Sequence, residues 1–164
     1  MHLVLYHPEI PPNTGNVARL CAATCTSLHL IKPLGFSLDD KYLKRAGLDY
    51  WPHVPLTIWE SWEDFLDKGV ENRRLIMSSA RQGTAIHRFP FVADDMIVLG
   101  PETTGLPEDV MALSEHHVRI PIWGKVRSIN MSTAAGIMLM QALAISGELD
   151  RVEDGVEDGV EDGV

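Results

Sequence analysis

Met96-Ile97-Val98-Leu99-Gly100-Pro101-Glu102-Thr103-Thr104-Gly105-Leu106-Pro107 is the stretch that decides the fold. It opens as an apolar run of strand length, Met96–Gly100. Two glycines and two prolines between Leu99 and Pro107 then make a rigid turn poor in side chains, and Pro107 with Glu108-Asp109 has the composition of a first helical turn. Working outward, the same succession returns. Leu3–Tyr6, Leu28–Lys32, Leu75–Ser78 and Val118–Ile122 are short apolar or β-rich runs. Between them lie capped, amphipathic segments. Asn13 or Thr14 can cap a helix carrying Val17, Leu20 and Cys21. Asp39-Asp40 opens a segment with Tyr42, Leu43 and Ala46 that ends at Gly47. Ser61, with Asp64 three residues on, starts a helix through Phe65 and Leu66 to Gly69. Ser132 begins the longest helix, Thr133 to about Ser146, with Gly147 as its stop. Strand–helix alternation with short connections predicts an α/β fold, a mostly parallel sheet flanked by helices. Ligands of such sheets bind beyond the carboxyl ends of the strands.

The chain has 164 residues, 45% apolar and 23% charged, the size and balance of one soluble domain. Two cysteines provide no disulfide framework, so a reducing, cytoplasmic setting is expected. No basic segment leads into a longer apolar stretch near Met1, so no secretory signal is expected. The most apolar window, Ala134 to Ile145, is too short to span a bilayer. The net charge of −9 is unevenly placed: residues 153–164 hold six acids and no base, leaving 14 cations against 17 acids, a net −3, for the rest. The EDGV repeats of this segment have no face on which to gather a core, so residues 1–150 are read as the domain and 151–164 as a solvated acidic tail. A nucleic-acid partner then requires a local basic patch.

Three clusters fall at strand ends. Pro11-Pro12-Asn13-Thr14-Gly15-Asn16-Val17-Ala18-Arg19 follows the first strand; its prolines suggest an extended approach, and a helix start with Arg19 about one turn in suits a phosphate, or is a capped helix with a surface arginine. It is not a P-loop, lacking the Gly-Lys-Ser/Thr ending. In the second cluster, 99–107, a ligand can approach the backbone closely, and Glu102 can bind backbone amides or a cationic ligand. It is not G-x-G-x-x-G, which disfavours a nicotinamide-dependent oxidoreductase. The third, Arg119 to Thr133, carries Lys125 and Arg127 for phosphate contacts and Ser128, Asn130 and Ser132 for hydrogen bonds. Cys21 and Cys25 stand four apart without further ligands in register, so buried thiols are expected and no metal site. His116 and His117 face opposite sides of a strand. Met131, Met138 and Met140 read as core filling.

Together these clusters resemble the SPOUT superfamily of knotted RNA methyltransferases, most closely its small tRNA wobble-nucleotide 2′-O-methyltransferases. The resemblance covers residues 1 to about 147. It is carried by Pro8-Glu9-Ile10-Pro11-Pro12-Asn13-Thr14-Gly15-Asn16 with Arg19, by Lys44-Arg45-Ala46-Gly47-Leu48-Asp49-Tyr50-Trp51, by Gly100 to Pro107, and by Arg127-Ser128-Ile129-Asn130-Met131-Ser132. It implies a C-terminal trefoil knot, a homodimer, and S-adenosylmethionine (AdoMet) held mainly by backbone groups at Ser78, Gly100, Glu102, Gly105, Ile120, Ser128, Ile129 and Met131. It also implies 2′-O-ribose methylation of tRNA, at the wobble nucleotide 34, without a metal, and S-adenosylhomocysteine as product. Methylation at another tRNA or rRNA position and a non-catalytic RNA-binding module of the same fold are the alternatives. The chain departs from the family pattern at Ser78-Ser79-Ala80-Arg81-Gln82-Gly83, longer than the usual Thr-Thr-Lys-Gly-like turn, and at Ser132-Thr133 in place of Ser-Asn.

The catalytic residues implied are Arg19, Asn130 and Ser132. A guanidinium is too weak a base to take a hydroxyl proton, so Arg19 is expected to stabilise the developing alkoxide and an adjacent phosphate. Proton removal is left to a phosphate oxygen, a water or Ser132. Arg19, Lys41, Lys44, Arg45, Lys125 and Arg127 are the expected RNA contacts.

Overall fold

The computed structural model describes residues 1–37 and 51–153. Seven strands, β1 (His2–Tyr6), β2 (Ser27–Ile31), β3 (Leu56–Trp59), β4 (Leu75–Ser78), β5 (Thr84–Ala85), β6 (Met96–Leu99) and β7 (His117–Arg119), form one sheet in the order β3-β2-β1-β6-β4-β7-β5. Every neighbouring pair is parallel. The helices are α1 (Pro11–Ala23), α2 (Trp62–Lys68), α3 (Glu108–Met111), α4 (Met131–Ser146) and α5 (Glu148–Glu153).

Both faces of the sheet are covered, which is why its central strands read as continuous apolar runs rather than alternating ones. Successive side chains of β1 point to opposite faces. Leu3 and Leu5 join Val17, Cys21, Met138 and Leu139 in the layer made by α1 and α4. Val4 joins Trp62, Phe65 and Val110 on the side of α2 and α3. Ser61 caps α2 as expected, its side chain accepting the Asp64 N–H, and Gly147 ends α4. The segment after Gly147 does not leave the domain at once: α5 runs to Glu153, so the start of the expected tail is helical, and Glu148 accepts a hydrogen bond from the Met1 amine at 3.0 Å. The rest of the EDGV segment lies outside the described residues, as does the expected helix after Asp39-Asp40.

Several boundaries differ from the sequence reading. Strand β3 was not anticipated: Pro52 and Pro55 precede it, and its half-buried Leu-Thr-Ile-Trp lies at the sheet edge. β5 has two residues, too few for any periodicity. β7 stops at Arg119, before Pro121, which has no N–H for a ladder. The prolines of the first cluster do not form an extended approach. Pro11 and Pro12 are the first two residues of α1, where a fixed φ fits the helix and the missing N–H is not needed. Asn13 and Thr14 are therefore inside the helix and buried. Among the described residues no helix is long and apolar enough to cross a membrane.

Candidate active site

With all strands parallel, the order β1-β6-β4-β7 sets the loops that follow these strands side by side at one rim. The three segments 78–83, 100–106 and 120–130 thus become neighbours although they are separated in the chain. Direct bonds tie the first to β7, the strand that leads into the third: the Ser79 N–H donates to the Val118 carbonyl at 2.9 Å, and Arg119 Nε to the Gly83 carbonyl at 3.2 Å. Within the first, the Ser79 hydroxyl accepts the N–H groups of Arg81 and Gln82, closing the longer turn on itself.

Glu102 is the hub of the second segment. Its carboxylate accepts the N–H of Glu9 at 2.8 Å and of Ile10 at 3.2 Å, and the Asn13 side-chain amide at 3.0 Å. Glu9 answers by accepting the Thr103 N–H at 3.1 Å and the Thr103 hydroxyl at 2.7 Å. Ile10 is the N-cap of α1 and has no capping side chain of its own, so Glu102 supplies the negative group that a helix start favours. This corrects the phosphate reading of the first cluster. Pro11 and Pro12 carry no N–H, the N–H groups of Asn13 and Thr14 bond to the Ile10 carbonyl, and the place of an anion is taken by Glu102. Arg19 is correspondingly not one turn into the helix. It lies roughly 12 Å from Pro11 along the axis, on the exposed face with Pro12, Asn16 and Ala23.

Asn13 links this hub to the last helix. Its side-chain oxygen accepts the Asn130 amide at 3.0 Å. Asn130, not Ser132, is the N-cap of α4. Its oxygen accepts the N–H of Ser132 at 3.0 Å and of Thr133 at 3.2 Å. The same oxygen accepts the Ser132 hydroxyl at 2.8 Å. With its proton committed to Asn130, Ser132 has only lone pairs to offer another partner.

The glycines play different parts. A Cβ on Gly100 would sit 2.3 Å from the Leu106 nitrogen, so the close approach there is by the loop's own backbone. Gly105 has φ +73 and open space where a side chain would be. On the third segment, the main-chain groups of 121–129 make no backbone hydrogen bond among the described residues. Uncommitted donors and acceptors on one rim segment and an open glycine position on another fit a ligand held through its polar edges by main chain. Ile120 and Ile129 are half-buried and Ser128 exposed, while the Met131 side chain is in the core, leaving its backbone as the only group it can offer. At the same rim, His7 stacks on Tyr6 with ring centres 3.8 Å apart, and burial lowers its pKa.

A family model described as SpoU rRNA Methylase matches residues 1–140. The chain belongs to this family. A tRNA (cytidine(34)-2′-O)-methyltransferase of Methylovorus glucosotrophus is 46% identical over 142 residues, 85% of this chain and 92% of the relative. One of the same description from Saccharophagus degradans is 42% identical over 144 residues, 86% of this chain and 92% of that one. A structure solved in a study of 2′-OH methylation of C/U34 on tRNA superposes with TM-score 0.86 at 46% identity, covering 90% of this chain and 96% of that one. The SpoU methyltransferase AviRb of Streptomyces viridochromogenes, solved with AdoMet, shares the fold at TM-score 0.80 and 20% identity, covering 93% of this chain and 61% of that one.

Of the residues singled out in the sequence, Ser78, Gly100, Glu102, Gly105, Ile120, Ser128, Ile129, Asn130, Met131 and Ser132 all lie on the three rim segments or at the head of α4. Lys125 and Arg127 are exposed on the third segment. Lys41, Lys44 and Arg45 lie outside the described residues. Glu9, Asn13 and Thr103, which lock the rim together, are not among the expected site residues, Asn13 being read only as a helix cap; the abundance of hydrogen-bonding residues in the first two clusters is the signal that points to them. Of the two cysteines expected to be buried, Cys21 is, and burial pushes its pKa up to about 12, whereas Cys25 is exposed just past the end of α1; among the described residues no three His, Cys, Asp or Glu side chains gather to hold a metal.

Proposed function

We propose that this SpoU-family chain transfers a methyl group from AdoMet to the ribose 2′-hydroxyl of tRNA nucleotide 34, a cytidine or a modified uridine such as carboxymethylaminomethyluridine in a leucine tRNA. The 46% identity over 142 residues to a protein of that described activity carries the reading. AdoMet, when bound, supplies an electrophilic methyl on a positively charged sulfur, and a neutral thioether is a good enough leaving group to need no Lewis acid. The chain's own parts divide the remaining work. Segments 78–83, 100–106 and 120–130 hold the donor through main-chain groups of Ser78, Gly100, Gly105, Ile120, Ser128, Ile129 and Met131. Glu102 holds the second segment against α1 rather than gripping the donor's edge. Arg19 stabilises the alkoxide that forms on the ribose oxygen as the hydroxyl proton passes to a phosphate oxygen, a water or Ser132. Ser132, held by Asn130 with its lone pairs outward, accepts the hydroxyl hydrogen bond and orients the attacking oxygen.

The same reading assigns a homodimer, a trefoil knot and a cytoplasmic setting. Helix α4 supports the dimer: Met138, Leu139 and Leu143 are buried, yet Ile137, Met140 and Ile145 are each about 40% exposed, and a helix apolar all round needs a second surface. β7, placed between β4 and β5, supports a chain threaded between earlier segments. Residues 1–150 form the catalytic domain and the remaining acidic segment repels RNA. The test is to incubate the purified protein with AdoMet and tRNA and map 2′-O-methylated nucleotides. Methylation at nucleotide 34 supports the reading; methylation elsewhere transfers it to another RNA position, and tight RNA binding without transfer favours a non-catalytic module.

A further inference from the structure

Trp123 is 93% exposed, more than any other large apolar side chain among the described residues, and Val126 beside it is 64% exposed. Both lie on the third rim segment, between β7 and α4. A bare indole in a protein that buries Trp62 and half-buries Trp59 invites an occupant. Three are conceivable: a second copy of the chain, the methyl donor, and a base of the RNA. The flanking residues decide between them. Lys125 and Arg127 are exposed, have no ion pair among the described residues, and no acid occurs anywhere from Arg119 to Thr133. Buried in an apolar interface, two unpaired cations would be costly to desolvate, and charged residues are depleted from interface cores. Against RNA the same cations are paired by phosphates. An aromatic ring presented with neighbouring cations is how proteins hold unpaired nucleotides, because every base has a face to stack and every linkage a charge. Gly124, with open space around its Cβ position, leaves the indole clear for that approach.

We propose that Trp123 is the stacking platform for an unpaired nucleobase of the substrate RNA, at or beside the nucleotide that is methylated, with Lys125 and Arg127 holding the adjoining phosphates. The proposal rests on the RNA-methylation reading above. Full-length protein, Trp123→Ala and Trp123→Phe are compared for binding and methylation of an anticodon stem-loop RNA. In parallel, each loop nucleotide is replaced in turn by its abasic form, which keeps the ribose hydroxyl. Trp123→Ala is expected to weaken RNA binding about tenfold and raise KM with kcat little changed, while Trp123→Phe keeps most of the affinity. One abasic position should reproduce the loss in the native protein and add nothing in Trp123→Ala. Equal further losses at every abasic position in Trp123→Ala would overturn the proposal. So would a matching fall in AdoMet affinity, which makes Trp123 a lid on the donor, or dissociation of the dimer in sedimentation, which makes it a subunit contact. RNA binding by the native protein without methyl transfer would defeat the catalytic reading while leaving the stacking result readable from affinity; no RNA binding at all defeats both.

Discussion

Glu102→Gln separates two roles that the carboxylate can play at the rim. In the native chain one oxygen accepts the Glu9 N–H, and the other accepts both the Ile10 N–H and the Asn13 amide. An amide of the same shape keeps one acceptor and turns the other into a donor facing a donor. At least one of the three bonds is lost and the others lose their charge. Hydrogen bonds to charged groups contribute roughly 1.5–3 kcal/mol each, and an anion at a helix start about 0.3–1 kcal/mol. Because the site is only half-buried, the low end applies, a loss of about 2 kcal/mol. For a chain of this size that lowers Tm by roughly 4–8 °C. Thermal and denaturant unfolding measure it, beside AdoMet affinity by calorimetry. The expected result is a clear loss of stability with a smaller loss of donor affinity, since the second segment loosens without losing a direct contact. Unchanged stability with abolished AdoMet binding would refute the clamp and make Glu102 a ligand-binding carboxylate.

Other perturbations reach separate parts of the molecule. Arg19→Ala should lower methyl transfer at least tenfold, up to about 10²–10³ if the guanidinium faces the full alkoxide charge, while AdoMet affinity is nearly kept; equal losses in both would refute its role. His29 is buried, accepts the Trp59 indole N–H at 3.1 Å and lies 3.1 Å from a His2 ring nitrogen; burial, then the nearby His2 and Arg73, lower its pKa to about 4. The unfolded chain therefore takes up a proton near pH 6.5 that the folded chain refuses, and stability falls as pH drops from there towards 4, by at most about 3 kcal/mol. Denaturant titrations across that range should show the slope in the native protein and a weaker one in His29→Gln; equal slopes would place the proton elsewhere. Arg74→Met removes both bonds of 2.7 Å to the carboxylate of Asp95, a residue 1% exposed whose carboxylate otherwise accepts the Val92 N–H among the described residues. It should cost about 2–4 kcal/mol in denaturant unfolding, below the 3–5 kcal/mol typical of a fully buried pair because Arg74 is partly exposed; a neutral result would contradict the pairing.

The sheet was legible because its central strands are buried on both faces and so spell continuous apolar runs; Leu3–Leu5, Ile76–Met77 and Met96–Leu99 could hardly be anything else. The site was legible as three turns rich in glycine, proline and small polar residues, since parallel strands put all such turns on one rim. What escaped were the choices made by tertiary contacts. Nothing local says that the cap of α1 comes from Glu102, 92 residues away from Ile10, so the helix start was placed at Asn13 or Thr14. Asn130 and Ser132 are both able to cap α4, and only the bond from Asn130 to Asn13 shows why the asparagine is the one fixed in place. Sequence likewise does not reveal that the loop folds back on itself at Leu106, where a Cβ on Gly100 would clash.

A crystal structure of the protein with S-adenosylhomocysteine tests the central claim most directly. The nucleoside should lie against the backbone of 78–83, 100–106 and 120–130, with Ser132 and the head of α4 beside the sulfur. A nucleoside bound at the opposite end of the sheet, in the cleft lined by Glu71 to Arg74 and Val92 to Asp95, would contradict it.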